Sequence, residues 1–151
     1  MTNGDKCEVC KKFYPYTKTD VWKMDNKEVT LSKTDVVFAV VRFNKPDEFE
    51  VCEECYVSGR LESALSSELL CEAYYGFGCG FLRNGQFEKA KSALKKSLEI
   101  QESADSLATL GCAENGLGNK NEAIKLNRRA LLIRPDHFMA SENLRNLLSE
   151  N

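Results

Sequence analysis

Two kinds of hydrophobic pattern follow one another along the chain. The first is β-like. Residues 36–43, Val-Val-Phe-Ala-Val-Val-Arg-Phe, are dense in β-branched and aromatic side chains and predict a strand. Asn44-Lys45-Pro46-Asp47-Glu48 brings turn chemistry and a helix-hostile proline, and Phe49-Glu50-Val51 alternates so that it can pair back. Val21–Met24 and Val29–Leu31 predict two further short strands. From about residue 60 the period lengthens to that of a helix. Leu61, Leu65, Leu69 and Leu70 begin it, and the stretch from Val57 to Leu70 reads as one helix. Tyr74, Phe77, Gly78 and Phe81 continue with spacing i, i+3, i+4, i+7, and Asn84-Gly85 ends that stripe. Phe87, Ala90, Leu94 and Leu98 form the next. Ala104, Leu107, Leu110 and Gly111 follow, up to the break at Gly116–Asn119. Ala123, Ile124, Ala130, Leu131 and Ile133 form a fourth stripe, closed by Arg134-Pro135. Asp136 is placed to cap a last helix carrying Phe138, Leu144, Leu147 and Leu148.

The helical part repeats itself. Gly78 recurs as Gly111, Gly85 as Gly118 and Ala90 as Ala123, each 33 residues on. With these residues in register, the segment from 71 to 137 resembles the tetratricopeptide (TPR) family, whose repeat is a helix-turn-helix of about 34 residues. The first copy matches the family's opening pattern with Tyr74, Phe77-Gly78 and Phe81, and the second with Leu107, Leu110-Gly111 and Glu114. The second-helix signature is Ala90/Leu94 and then Ala123/Asn127. The late proline is Pro135 in copy two, while copy one has Glu102. Gly78 and Gly111 are expected where the paired helices cross closely, with Ala90 and Ala123 opposite, and Gly85 and Gly118 in the turns. Glu114 and Asn127 depart from the pattern. They stand where apolar residues normally pack, which implies a looser second hairpin or groups that face a ligand or each other. Residues from Phe138 onward resemble a terminal capping helix.

The resemblance also implies a function. Such stacks bind peptides or helices of other proteins in a groove lined by the first helix of each pair. The matching positions here are Tyr75, Cys79, Leu82, Ala108, Cys112 and Asn115, a largely apolar lining. Some relatives clamp a terminal carboxylate with lysine, asparagine and arginine. The matching positions hold Tyr75, Cys79, Thr109, Met139 and Asn143, so that clamp is absent and an extended or helical apolar segment is the expected guest.

Composition adds the metal. Seven of 151 residues are cysteine. Four form two C-x2-C pairs, Cys7/Cys10 and Cys52/Cys55, while Cys71, Cys79 and Cys112 lie singly within helical stripes as small packing residues. Two tight turns that each aim two sulfurs at one point supply the tetrahedral thiolate set of a structural zinc site. The 41 residues between the pairs leave room for a β-rich insert, and the second pair opens onto a helix. The order knuckle, strands, knuckle at a helix start resembles a treble-clef or zinc-ribbon module. An iron–sulfur site, a redox dithiol and plain core cysteines compete with zinc. The acidic neighbours Glu8, Glu53 and Glu54 disfavour a reactive low-pKa thiol. The expected architecture is thus α+β. A four-cysteine zinc-binding domain spans residues 1–60, and a TPR-like helical domain of two repeats and a capping helix spans residues 61–151. Residues 57–70 are expected to serve both, anchoring the metal site and packing under the first repeat.

Charge narrows the partners. The net charge is -2, so no strong global field for nucleic acid or acidic lipid exists. The longest apolar run, Val36–Val41, is far too short for a membrane span. An odd cysteine count and no apolar segment behind a basic start favour a reduced, cytoplasmic protein over a secreted disulfide framework. A second class of function is a nucleic-acid-binding zinc finger, with the repeats mediating assembly. Lys11, Lys12, Lys18, Lys23, Lys27 and Lys33 stand among Phe13, Tyr14, Tyr16 and Trp22. Yet residues 1–60 hold 10 Lys and Arg against 11 Asp and Glu, which favours these aromatics as the core of the small domain. The lone histidine, His137, has no nucleophile beside it in sequence and reads as a surface or capping residue. With no phosphate loop or carboxylate pair either, a non-enzymatic protein is expected.

Overall fold

The computed structural model describes residues 4–15, 18–24, 27–33, 37–44 and 47–150, with side chains at 5–14, 37–41 and 49–150. Three antiparallel hairpins come first: β1 (Gly4–Lys6) with β2 (Phe13–Pro15), β3 (Lys18–Met24) with β4 (Lys27–Lys33), and β5 (Phe38–Asn44) with β6 (Asp47–Cys52). In the last, Phe38 stands opposite Cys52 and Val41 opposite Phe49, which is the return pairing expected from the alternation. The strands flanking the first cysteine pair carry no run of β-formers, and the sequence pattern did not announce them.

Seven helices follow among the described residues: α1 (Glu53–Val57), α2 (Arg60–Ala64), α3 (Ser67–Arg83), α4 (Phe87–Ile100), α5 (Ala104–Gly116), α6 (Lys120–Ile133) and α7 (Phe138–Ser149). The single helix expected over 57–70 is therefore three pieces. Gly59 breaks it in the left-handed region at φ 73°. Leu65 is extended, and the Ser66 side chain then accepts the Leu69 N–H to start α3 afresh. Its apolar face still packs inward: Leu61 is fully buried, with Leu65 and Leu69 half-buried against the same core.

α3 with α4 and α5 with α6 form two helical hairpins, and α7 packs on α5 and α6. The turns hold Gly85 and Gly118 at φ 71° and 84°, with no atom near the place of a Cβ, so glycine is there for its backbone freedom alone. At the crossings, a Cβ on Gly78 would lie 2.4 Å from Leu94 Cγ and one on Gly111 2.5 Å from Asn127 Nδ2. The side chain filling each glycine notch thus comes from one turn beyond Ala90 and Ala123. Both alanines are themselves fully buried.

α3 carries two more glycines, Gly76 and Gly80, on the face roughly opposite Gly78 at about 100° per residue. They lie against β5. A Cβ on Gly76 would come within 3.0 Å of Ala39 Cβ and 3.3 Å of the Val40 oxygen, and one on Gly80 within 2.8 Å of Val37 Cγ1. The bare helix face lets α3 lie close against β5. One continuous core results: Cys7, Tyr14, Val41, Val51, Cys52, Cys55 and Leu61 are buried together with Phe77, Phe81, Ala90 and Ala93. Tyr56 links the halves, its ring 4.8 Å from that of Phe77, and Lys96 sits 4.9 Å over the same Tyr56 ring.

The two polar departures from the repeat pattern are tied down and leave nothing loose. Glu114 is buried; it pairs with Lys91 at 2.9 Å and accepts the Asn119 amide at 2.7 Å. Burial pushes its carboxyl up, but the Asn119 and Lys91 bonds more than offset that and hold it below the usual range. Asn127 is fully buried, donates to the Ala123 carbonyl at 2.8 Å and accepts from Asn143 at 3.2 Å. The cap of α7 is His137, not Asp136. His137 is buried, its Nδ1 accepts the Ala140 N–H at 3.1 Å, and its Nε2 lies 2.9 Å from Asp105. Since Nδ1 accepts, Nε2 carries the proton and donates to Asp105, which also takes Arg134 at 2.8 Å.

Candidate metal centre and repeat groove

The four cysteines converge. Cys7-Glu8-Val9-Cys10 turns between β1 and β2. Its backbone is pinned by Lys11 N–H to the Cys7 oxygen at 2.9 Å and Cys7 N–H to the Lys12 oxygen at 3.0 Å, with Lys11 at φ 62°. Cys52 closes β6 as the residue before α1, and Cys55 stands within α1. All four sulfurs lie within 4.8 Å of one another, with Cys7 to Cys55 and Cys10 to Cys52 at 3.7 Å. Disulfides, at about 2.0 Å, are excluded by these distances. A tetrahedron with metal–sulfur bonds of about 2.3 Å has sulfur–sulfur edges of about 3.8 Å, so the four thiols form a cage that can hold a metal ion.

Hydrogen-bond donors reach two of the four sulfurs. The Cys52 N–H donates to Cys7 Sγ at 3.4 Å and the Tyr14 phenol to Cys52 Sγ at 3.3 Å. Burial pushes the Cys7 thiol up, yet backbone N–H groups from Cys10, Cys52 and Val9 bring it down to about 7. Burial dominates at Cys52 and Cys55, whose thiols are raised. Tyr14 is buried, and burial together with Cys52 and Glu54 pushes its phenol well up, so it stays a donor. Around the rim, Lys11 pairs with Glu8, Lys12 with Glu54 at 3.0 Å and Lys89 of α4 with Glu53 at 2.9 Å. Of the residues considered for nucleic-acid contact, Tyr14 is thus core and Lys11 and Lys12 are ion-paired, while Phe13 is exposed. The side chains of Tyr16, Trp22, Lys18, Lys23, Lys27 and Lys33 lie outside those described.

The groove positions fall on α3 and α5, which lie side by side with α7 next to α5. Tyr75, Cys79, Leu82 and Cys112 are half-buried, Asn115 is exposed and Ala108 is fully buried. The Tyr75 phenol is pushed up to about 12, chiefly by burial. Burial also raises the Cys79 and Cys112 thiols, so neither is a poised nucleophile.

The Tetratricopeptide repeat family model matches the chain twice, at residues 72–103 and 104–137. These segments coincide with the α3–α4 and α5–α6 hairpins. Residues 72–137 match that model as two consecutive tetratricopeptide repeats. Among solved structures, the TPR pair is similar to the second TPR domain of the human RPAP3 protein, determined by NMR in complex with the HSP70 peptide SGPTIEEVD. That likeness has 23% identity and a TM-score of 0.52 over 62% of this chain and 76% of that one. It is also similar to an Arabidopsis OM64 TPR domain, with 20% identity and a TM-score of 0.50 over 65% of this chain and 88% of that one. At these identities the likeness establishes the TPR fold. No curated protein matches the sequence. No described helix is long and apolar enough to cross a membrane.

Proposed function

We propose that this chain is a non-enzymatic, cytoplasmic adaptor whose TPR groove holds a peptide or helix of another protein, and whose Cys7, Cys10, Cys52 and Cys55 hold one structural Zn²⁺. The observation that carries the metal is the cage of four sulfurs, two of its edges 3.7 Å and all within 4.8 Å. An all-sulfur tetrahedral donor set is that of zinc or iron–sulfur centres, and the absence of room for bridging sulfides between edges this short favours a single ion. Bound zinc draws the four thiols into their ionised form and locks both knuckles together. Joining Cys10 to Cys52 removes about 4 kcal/mol of loop entropy by analogy with disulfides, and structural zinc binding supplies about 10–16 kcal/mol. In this reading residues 1–60 are the metal module and 61–151 the binding module, joined through their common core. Tyr75, Cys79, Leu82, Cys112 and Asn115 line the groove, with Ala108 supporting it from beneath.

That a structurally similar TPR domain is known in complex with an HSP70 peptide supports a peptide as the guest. The groove here lacks the lysine and arginine clamp for a terminal carboxylate, so an internal extended or helical segment fits better. Elemental analysis of the purified chain should give one zinc per molecule; iron or no metal would overturn that part. Selection of displayed peptides on the metal-loaded chain should enrich sequences that bind regardless of a free C-terminus and are lost on Tyr75→Ala or Cys112→Arg. Failure to enrich any, or binding indifferent to both substitutions, would remove the groove from the account.

A further inference from the structure

The two repeats are offset by 33 residues, so each position around the first crossing has a counterpart around the second. Leu82, Leu94, Leu110 and Ala113 become Asn115, Asn127, Asn143 and Asn146. Leu94, Leu110 and Ala113 are buried in the first setting, Leu94 filling the notch at Gly78. In the second setting the four asparagines come from α5, α6 and α7, and with Gly111 and Glu150 they line a cavity of about 220 Å³. At about 30 Å³ per water this is room for roughly seven, or for one side chain.

The inner pair is fixed by its own bonds. Asn143 Nδ2 donates to Asn127 Oδ1 at 3.2 Å and to Cys112 Sγ at 3.1 Å, while Asn127 is held to Ala123. Asn115 and Asn146 are exposed at the mouth. Exchanging three leucines and an alanine for amides forfeits packing that the same chain achieves one repeat earlier. The walls offer N–H donors and carbonyl acceptors side by side. No lysine or arginine lines them, so a carboxylate guest lacks a counter-charge, and the single acid, Glu150, is exposed at the rim, so an ammonium gains little.

We propose that this cavity is a specificity pocket that takes a carboxamide side chain, glutamine or asparagine, from the segment bound along α3, α5 and α7. The proposal rests on the adaptor reading for its partner, but the pocket can be probed without one. The metal-loaded full chain, labelled with ¹⁵N, is titrated with N-acetyl-glutamine methylamide and with the glutamate and leucine analogues. The glutamine probe alone should shift the side-chain amide signals of Asn115, Asn127, Asn143 and Asn146 saturably. The variant Asn115→Leu/Asn127→Leu/Asn143→Leu/Asn146→Ala, which takes the first repeat's own residues, should abolish the response. Should that variant not fold, Asn146→Ala at the mouth decides, with an expected loss of tenfold or more in probe affinity. No saturable shift, equal shifts with all three probes, or an unchanged response in Asn146→Ala would overturn the pocket. Peptide selection on the groove succeeds or fails independently of these outcomes.

Discussion

Gly78→Ala is the sharpest test of how the first hairpin packs. A glycine in an exposed helix interior gains about 1 kcal/mol on conversion to alanine. Here the new methyl would stand 2.4 Å from Leu94 Cγ, 2.5 Å from Cδ2 and 3.2 Å from Cδ1. Leu94 is fully buried in the repeat core, so it must move into occupied space or leave. Overpacking of that kind costs about 1–3 kcal/mol, and losing the leucine's burial altogether costs about 2–5 kcal/mol. After the helix gain, the net expectation is a destabilisation of about 1–3 kcal/mol, opposite in sign to an exposed site. With m near 2 kcal/mol/M, the urea midpoint of the metal-saturated chain should fall by about 0.5–1.5 M. Leu94→Ala alone should cost about 2–5 kcal/mol. The double variant should cost no more than Leu94→Ala, because the added methyl enters the vacated space, giving a coupling energy of about 1–3 kcal/mol. Additive costs, or a stabilising Gly78→Ala, would mean that Leu94 does not fill the notch.

Three further outcomes are expected. Tyr14→Phe keeps the ring edge-on to Phe38 at 5.3 Å but deletes the donor to Cys52, so zinc affinity should drop about 10- to 100-fold in competition with a chromophoric chelator; unchanged affinity would take the phenol out of the site. Glu114→Gln breaks the Lys91 pair and should cost about 1–2 kcal/mol near neutral pH. Because the folded carboxyl is depressed, its contribution is complete above the ordinary value of about 4.3 and vanishes as pH falls through the lower folded value. The gap between wild type and variant should therefore close only below about pH 4, and a gap that is constant down to pH 3 would refute the ion pair. Chelation of the metal should raise amide hydrogen exchange in α3 well before α6 and α7, since α3 alone of these lies on β5; uniform exposure, or none, would sever the metal site from the first repeat.

The parts of this fold that were legible are those that repeat or recur locally. A period of 3.6 gave the helices, a 33-residue echo gave Gly85 and Gly118 their turns, and two C-x2-C pairs gave the metal cage. The rest depends on partners distant in sequence. Gly76 and Gly80 have no echo, since their counterparts are Thr109 and Ala113, because the strand they accommodate occurs once. Glu114 looked like a packing fault until Lys91, 23 residues earlier, came to it across the repeats. His137 displaced Asp136 as the cap because Asp105, 32 residues away, fixes its ring and leaves Nδ1 free to accept. The break of the 57–70 helix was written in Gly59 and Ser66, but the regular spacing of the leucines masked it.

Two repeats are fewer than a TPR stack normally needs, because each terminal face exposes the apolar side that a neighbour would bury. The front of this stack meets that need with a strand instead of a helix. A hairpin alone is marginal in water, so the cover is only as firm as whatever holds the hairpin. Here the holding point is Cys52, the last residue of β6, one turn of chain from Cys55 and in the same core as Phe77 and Phe81. Free energy released by a metal bound at the four sulfurs would thereby act on the placement of α3, which carries half of the proposed groove. Among the described residues, no second cysteine cluster lies at the α7 end. Phe138 of α7 is 79% exposed and Leu132 near the end of α6 84%. The two ends therefore differ in kind: a metal held by the four cysteines would stiffen one, whereas the other presents Phe138 and Leu132 to solvent.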